Sequence, residues 1–255
     1  MNASHEENQD SLRPAVAFIL PLFLFLVIAS WYPNFADSHT TAGEPEELLW
    51  GRFTETQVYV GMVAGQIVVA TSLLMYFLPI YRRHFPLKIS WLGVVVGVIG
   101  VGLWIGICEL QLERTFFRSI GLDSWSETRP AFNPFEQIDD SSLRGLFLIL
   151  RFTLLAAIVP IIEELALRGW LVRWVENPQW EQVNLKFLSW KAIITPSIYG
   201  VLTHPSEAIA AFVWFGLVSW LMVRTGSLWE CVMAHAVTNL LLGLYVVQFS
   251  AWHLW

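Results

Sequence analysis

Residues 14–32, 56–81 and 89–108 contain no Asp, Glu, Lys or Arg over stretches of 19, 26 and 20 residues. A helix rises about 1.5 Å per residue and the hydrocarbon core of a bilayer is about 30 Å thick, so roughly 20 apolar residues cross it. Such runs are read as membrane spans, and four more apolar segments follow at residues 143–174, 189–203, 208–223 and 228–250. The fold class this predicts is all-α, a polytopic transmembrane helical bundle of about seven spans. Pro160 divides the fourth segment, and an eight-helix count follows if the helix breaks there. The fifth and sixth segments are short and are joined by His204, Pro205, Ser206 and Glu207, which predicts a hairpin that stops short of one face.

Composition narrows the function. Only 14% of the residues are charged and the mean hydropathy is +0.53, against about 25% charged in a soluble domain. A soluble enzyme and a secreted disulfide scaffold are excluded, the lipid bilayer is a partner, and the net charge of −6 speaks against nucleic acid. Cys108 and Cys231 lie in apolar stretches and read as small buried hydrophobes, not as a disulfide or metal pair. Trp31, Trp91, Trp190, Trp229, Trp252 and Trp255 fall near the ends of the runs, which suits an aromatic belt rather than a π-lined binding site. The stub before Pro14 carries Glu6, Glu7 and Asp10 and no small-residue cleavage site follows, so the first helix is expected to stay as an anchor.

Lys and Arg in short loops set the orientation. Arg82, Arg83 and Lys88 fall together with no acid among them, which places residues 82–88 in the cytoplasm, with the N-terminus inside and the C-terminus outside. Residues 34–55 and 109–142 are then external, and they carry 12 of the 21 acidic residues. The chain divides into an N-terminal region, 1–142, with three spans and external loops, and a core, 143–255. Within the second external loop, residues 129–135 are too rich in Pro and turn formers for a helix, giving either a cap over the bundle or a solvated connector. The pairs Gly61/Gly65, Gly93/Gly97 and Gly102/Gly106 are predicted to let helices approach closely.

Ionisable groups inside a membrane are costly and read first as functional. The fourth span carries Arg151, Glu163, Glu164 and Arg168, the fifth ends on His204, and the seventh holds His235 and Asn239. Glu164 and Arg168 are four apart with the acid first, the favourable order for a structural ion pair. Glu163 points about 100° away and has no such local partner, which suits a general base or acid. His235 and Asn239 are also four apart and project side by side. Counted from the cytoplasmic ends of their helices, Glu163, His204 and His235 lie roughly 16, 22 and 10 Å deep, compatible with one site.

Glu163-Glu164-x-x-x-Arg168, a later histidine after an aromatic residue, and His235-x-x-x-Asn239 together resemble the CPBP family. These are the CAAX-protease and bacteriocin-processing (Abi) intramembrane endopeptidases, which include the Rce1-type prenyl protein proteases. The stretch from Arg224 to Trp229 also looks like that family, and the resemblance covers residues 143–244. One departure is plain: the family's second motif commonly has Phe four residues before its histidine, where this chain has Gly200, with Tyr199 five before. The N-terminal region and residues 132–135 are similar to CAAX-protease-related proteins of bacterial exosortase systems, which implies a bacterial inner membrane.

The resemblance implies that Glu163 with His204 holds and deprotonates a water, that His235 and Asn239 donate to the oxyanion, and that Glu164 with Arg168 positions the helix. No cofactor is then needed. A zinc site is the alternative, with Glu163, His204 and His235 as ligands and water in the fourth position, though the His-Glu-x-x-His spacing is absent. The implied partner is a peptide or protein substrate at the membrane. A non-catalytic adaptor or immunity-type protein would use the same polar residues as an interhelical network, and a proton-coupled transporter fits less well because the hydropathy shows no inverted repeat.

Overall fold

The computed structural model describes residues 2–32, 48–49, 53–121 and 132–254. Seven apolar helices stand where the seven segments predict them: α1 (Asn2–Ala29), α2 (Glu55–His84), α3 (Trp91–Glu109), α6 (Ser141–Glu176), α7 (Trp190–Thr203), α8 (Ala208–Thr225) and α9 (Leu228–Phe249). Two short helices, α4 (Leu112–Ser119) and α5 (Pro134–Gln137), lie between α3 and α6, and a two-residue ribbon pairs β1 (Leu48–Leu49) with β2 (Phe53–Thr54) ahead of α2. The chain is an all-α membrane bundle. Among the described residues five helices are long and apolar enough to cross a membrane, one of them Pro205–Thr225, and the apolar part of α1, Pro14–Ala29, is shorter. The predicted short hairpin is therefore short on one side only: a 3₁₀ turn at Pro205–Glu207 lengthens α8 to a full span, while α7 has 14 residues.

The helix ends follow from local chemistry. Thr54 and Gln57 form a reciprocal capping box on α2. The Asp140 carboxylate accepts from Ser142 and Leu143 at the start of α6, at 2.7 and 2.9 Å. Asn133 caps α5, with Pro134 in its first turn, so a one-turn helix forms where the Pro-rich sequence predicted none. The rest of that stretch, residues 129–131, lies outside the described residues, as do Trp255 and most of 34–55. Two buried acids cap helices other than their own. Glu230 of α9 accepts from the backbone N–H groups of Ser90 and Gly93 at the start of α3, and Glu113 of α4 accepts from Ala210 N at 3.0 Å in α8.

α3, α8 and α9 pack together, α7 lies on α8, and α1 with α2 flanks the middle of α6. Of the three glycine pairs only Gly93/Gly97 makes a close contact. A Cβ at Gly97 would stand 2.7 Å from both the Ala234 carbonyl oxygen and Val237 Cβ of α9. A Cβ at Gly61, Gly65, Gly102 or Gly106 would meet nothing within 4 Å among the described residues, so the same motif there makes no close helix contact among them. Trp31, Trp91 and Trp190 are largely exposed near helix ends, as a belt requires. Trp252 is buried instead, beside Phe135, and Trp229 donates to the Phe85 carbonyl at 3.0 Å. Cys231 is buried, Cys108 half-buried, and neither is in a disulfide.

α6 does not break at Pro160. It runs 36 residues from Ser141 to Glu176 and widens twice into π-helical turns, at Leu154–Ile158 and Leu165–Leu171. The first wide turn ends just before Pro160 and gives its ring room against the preceding carbonyls. Gly97→Val forces α3 away from α9 and is expected to cost about 1–3 kcal/mol, read as a lower melting temperature in detergent, while Gly102→Val leaves it nearly unchanged.

Candidate active site

Glu163 and Glu164 occupy the short regular stretch of α6 between its two π turns. Such turns recur at functional sites, because each re-aims the side chains that follow it. Glu164 and Arg168 have no exposure at all and meet at 2.5 Å. Arg168 also donates to the Phe215 carbonyl at 3.1 Å and its guanidinium lies 5.7 Å from the centre of the Phe215 ring. The ion pair predicted from the spacing is therefore present, and it is wholly buried.

His235 of α9 joins both acids. Its Nδ1 lies 3.0 Å from Glu164 Oε1 and its Nε2 lies 3.5 Å from Glu163 Oε2. Glu164, ionised beside Arg168, can only accept, so the Nδ1 proton is assigned to that hydrogen bond and Nε2 is the atom turned to Glu163. The Trp214 ring stands edge-on to the imidazole at 4.7 Å between centroids, and its indole N–H donates to Thr238 at 3.1 Å. The other oxygen of Glu163, Oε1, accepts from the Tyr199 hydroxyl at 2.6 Å. Sequence reasoning missed Tyr199 as a site residue. The available signal was a phenol in a short apolar helix, since a buried tyrosine hydroxyl takes a partner.

His204 ends α7. Its Nδ1 is 2.9 Å from Thr203 Oγ1 and 3.2 Å from the Gly200 carbonyl, and its ring meets Trp104 edge-on at 5.5 Å. Gly200 has a physical reason. A Cβ there would fall 2.2 Å from the Phe215 ring, so the aromatic of α8 fills the place beside residue 200. Asn239 donates from Nδ2 to the Leu155 carbonyl of α6 at 2.9 Å.

Glu163, Tyr199, His204, His235 and Asn239 all line one cavity of about 440 Å³, walled by apolar side chains of α1, α6 and α9 together with Trp104 and Trp214. Trp104 and Trp214, neither of them among the tryptophans at the ends of the apolar runs, thus line the cavity. Arg151, half-buried, is the one Lys or Arg among the described lining residues. Glu164 and Arg168 stand behind the wall and touch it through His235 and Phe215. Among the described residues no three His, Cys, Asp or Glu side chains converge as metal ligands. The arrangement offers a carboxylate held from both sides, an imidazole fixed by a second carboxylate, and an amide, all facing one space.

Residues 145–241 match the family model described as type II CAAX prenyl endopeptidase Rce1-like. No curated protein and no solved structure matches the chain at a significant level. The matched stretch runs from the first turns of α6 into α9 and contains every polar residue of the site just described. Over residues 145–241, the part of the chain that forms the site, the sequence is thus similar to the Rce1-like type II CAAX prenyl endopeptidases.

Proposed function

We propose that this chain is an intramembrane endopeptidase that hydrolyses a peptide bond of a membrane-delivered protein or peptide with water activated by Glu163. The observation that carries the reading is the carboxylate of Glu163, almost wholly buried, held by the Tyr199 hydroxyl on one oxygen and facing His235 on the other at a cavity wall. In this reading His235 Nε2 acts as a donor, and the Glu163 carboxylate is free to accept a proton from water.

Glu163 then takes a proton from a water that it orients together with His204, and the hydroxide forms its bond to the scissile carbonyl carbon. His235 Nε2 and Asn239 donate to the oxyanion, and donors fixed in advance are worth most where water is excluded. As the carbon–nitrogen bond breaks, the proton held by Glu163 passes to the leaving nitrogen. Tyr199 keeps the carboxylate in register, while Glu164 and Arg168 orient His235 and the helix that carries the base. No metal takes part in this reading. Glu163, His204 and His235 as zinc ligands is the competing one, and His235 Nδ1 already lies against Glu164, which leaves that ring only Nε2 for an ion.

We place the enzyme in a bacterial inner membrane with the N-terminus cytoplasmic, on the strength of Arg82, Arg83 and Lys88 at one end of the bundle. The family description makes a prenylated Cys-a-a-X tail the first substrate to try, and proteins of an exosortase-type sorting system are the second. A fluorophore and quencher flanking the bond before the last three residues of a farnesylated peptide report cleavage in detergent.

Glu163→Gln or His235→Ala is expected to lower cleavage by about 10³-fold or more while the protein still inserts and folds; unchanged cleavage by either overturns the assignment. Tyr199→Phe keeps the ring and loses one hydrogen bond, for an expected loss of about tenfold in kcat at constant melting temperature. Arg168→Met leaves Glu164 buried without its partner and is expected to cost about 3–5 kcal/mol of stability, visible as poor accumulation or a lower melting temperature. An adaptor predicts instead that Glu163→Gln lowers stability with no proteolysis from wild type. Activity should persist through a strong chelator; loss with recovery on added zinc favours the metal reading.

A further inference from the structure

Asn239 is held by an atom that an ordinary helix would not leave open. Its amide Nδ2 donates to the Leu155 carbonyl oxygen at 2.9 Å. In a regular α-helix that oxygen accepts from the N–H four residues on. Here the Val159 N–H reaches back five residues to Leu154 instead. The residue five beyond Leu155, which a continuing π turn would use, is Pro160, and proline has no N–H. Both helical partners are withdrawn from the same carbonyl. One turn further along α9, Gly243 lets the two helices come together: a Cβ there would stand 2.9 Å from the Phe152 ring of α6.

A carbonyl only accepts, so Leu155 also determines which end of the Asn239 amide it meets, and the nitrogen is that end. An amide has two N–H bonds. With one directed at Leu155, the other is fixed in direction, and both Leu155 and Asn239 line the cavity that holds Glu163. Without that anchor the side chain could turn its oxygen to the cavity, where it would repel an oxyanion.

We propose that Pro160 is a positioning residue for the hydrolysis. By withholding an N–H where α6 has widened, it reserves the Leu155 carbonyl for Asn239 and so aims the remaining amide N–H at the developing oxyanion. This rests on the peptidase reading above for its effect on rate. The link from Pro160 through Leu155 to Asn239 is testable without it.

Pro160→Ala restores an N–H that competes for Leu155 or lets the turn tighten so that Val159 reclaims it. Alanine is also the better helix former. With the quenched farnesylated peptide, kcat is expected to fall about tenfold or more with KM within about twofold, and the melting temperature to hold or rise. Asn239→Ala is expected to lose at least as much, and Pro160→Ala added to it to lose nothing further. Pro160→Ser restores the same N–H and must behave like Pro160→Ala. Rate losses that multiply in the double variant, or a fall in melting temperature with kcat unchanged, overturn the proposal. The same cycle of melting temperatures in a Glu163→Gln background separates the two claims. Non-additive shifts uphold the Pro160–Asn239 link even if wild type cleaves nothing, and additive shifts sink it even if wild type is a peptidase.

Discussion

Glu164 and Arg168 form an ion pair with no exposure at either end, and the candidate site is arranged around it. A charge in a membrane interior is tolerated only with a partner and with its remaining hydrogen-bonding capacity largely met. Arg168 therefore reaches across to α8 for the Phe215 carbonyl, and Glu164 reaches α9 through His235. Three helices are tied at one depth by this pair. His235 is thereby held in one orientation, with its second nitrogen turned to Glu163. The two adjacent acids differ in their surroundings. One is spent on a permanent cation, while the other faces a cavity and meets only groups that can exchange a proton with it or share a hydrogen bond.

The bundle supplies this geometry with irregular backbone placed where side chains can repair it. Two π turns in α6 bracket the acids. In lipid each freed carbonyl must find a donor, and the first of these finds Asn239, a residue of the site itself. Elsewhere the same constraint is met by acids at a distance in sequence, Glu230 for the start of α3 and Glu113 for the start of α8. Of the buried carboxylates among the described residues, Glu113 and Glu230 cap helices, while Glu163 and Glu164 line or touch the cavity.

The sequence carries the helices plainly, because charge-free runs of bilayer length have few other readings, and it carries the Glu164–Arg168 pair, because a spacing of four is a local fact. It does not carry what depends on how helices turn toward one another. Gly61/Gly65 and Gly102/Gly106 have the same spacing as Gly93/Gly97, yet among the described residues only the last pair makes a close helix contact. Tyr199 becomes a partner of Glu163 only once α7 and α6 are side by side. Gly200 looks like a gap in the family's aromatic motif until Phe215 is seen filling it from α8. The π turns leave no trace in hydropathy, and Pro160, which read as a break, is absorbed by the turn before it. Trp104 and Trp214 line the cavity although nothing in their local context separates them from the other tryptophans.

The central claim is that Glu163, His235 and Asn239 face one reacting carbonyl. The most direct measurement is a structure of the Glu163→Gln protein with the uncleaved farnesylated peptide bound. The account predicts the scissile carbonyl in the cavity, its carbon facing the side chain of residue 163 and its oxygen within hydrogen-bond reach of His235 and Asn239. A peptide seated elsewhere in the bundle, or one whose scissile bond points away from these three side chains, would contradict it.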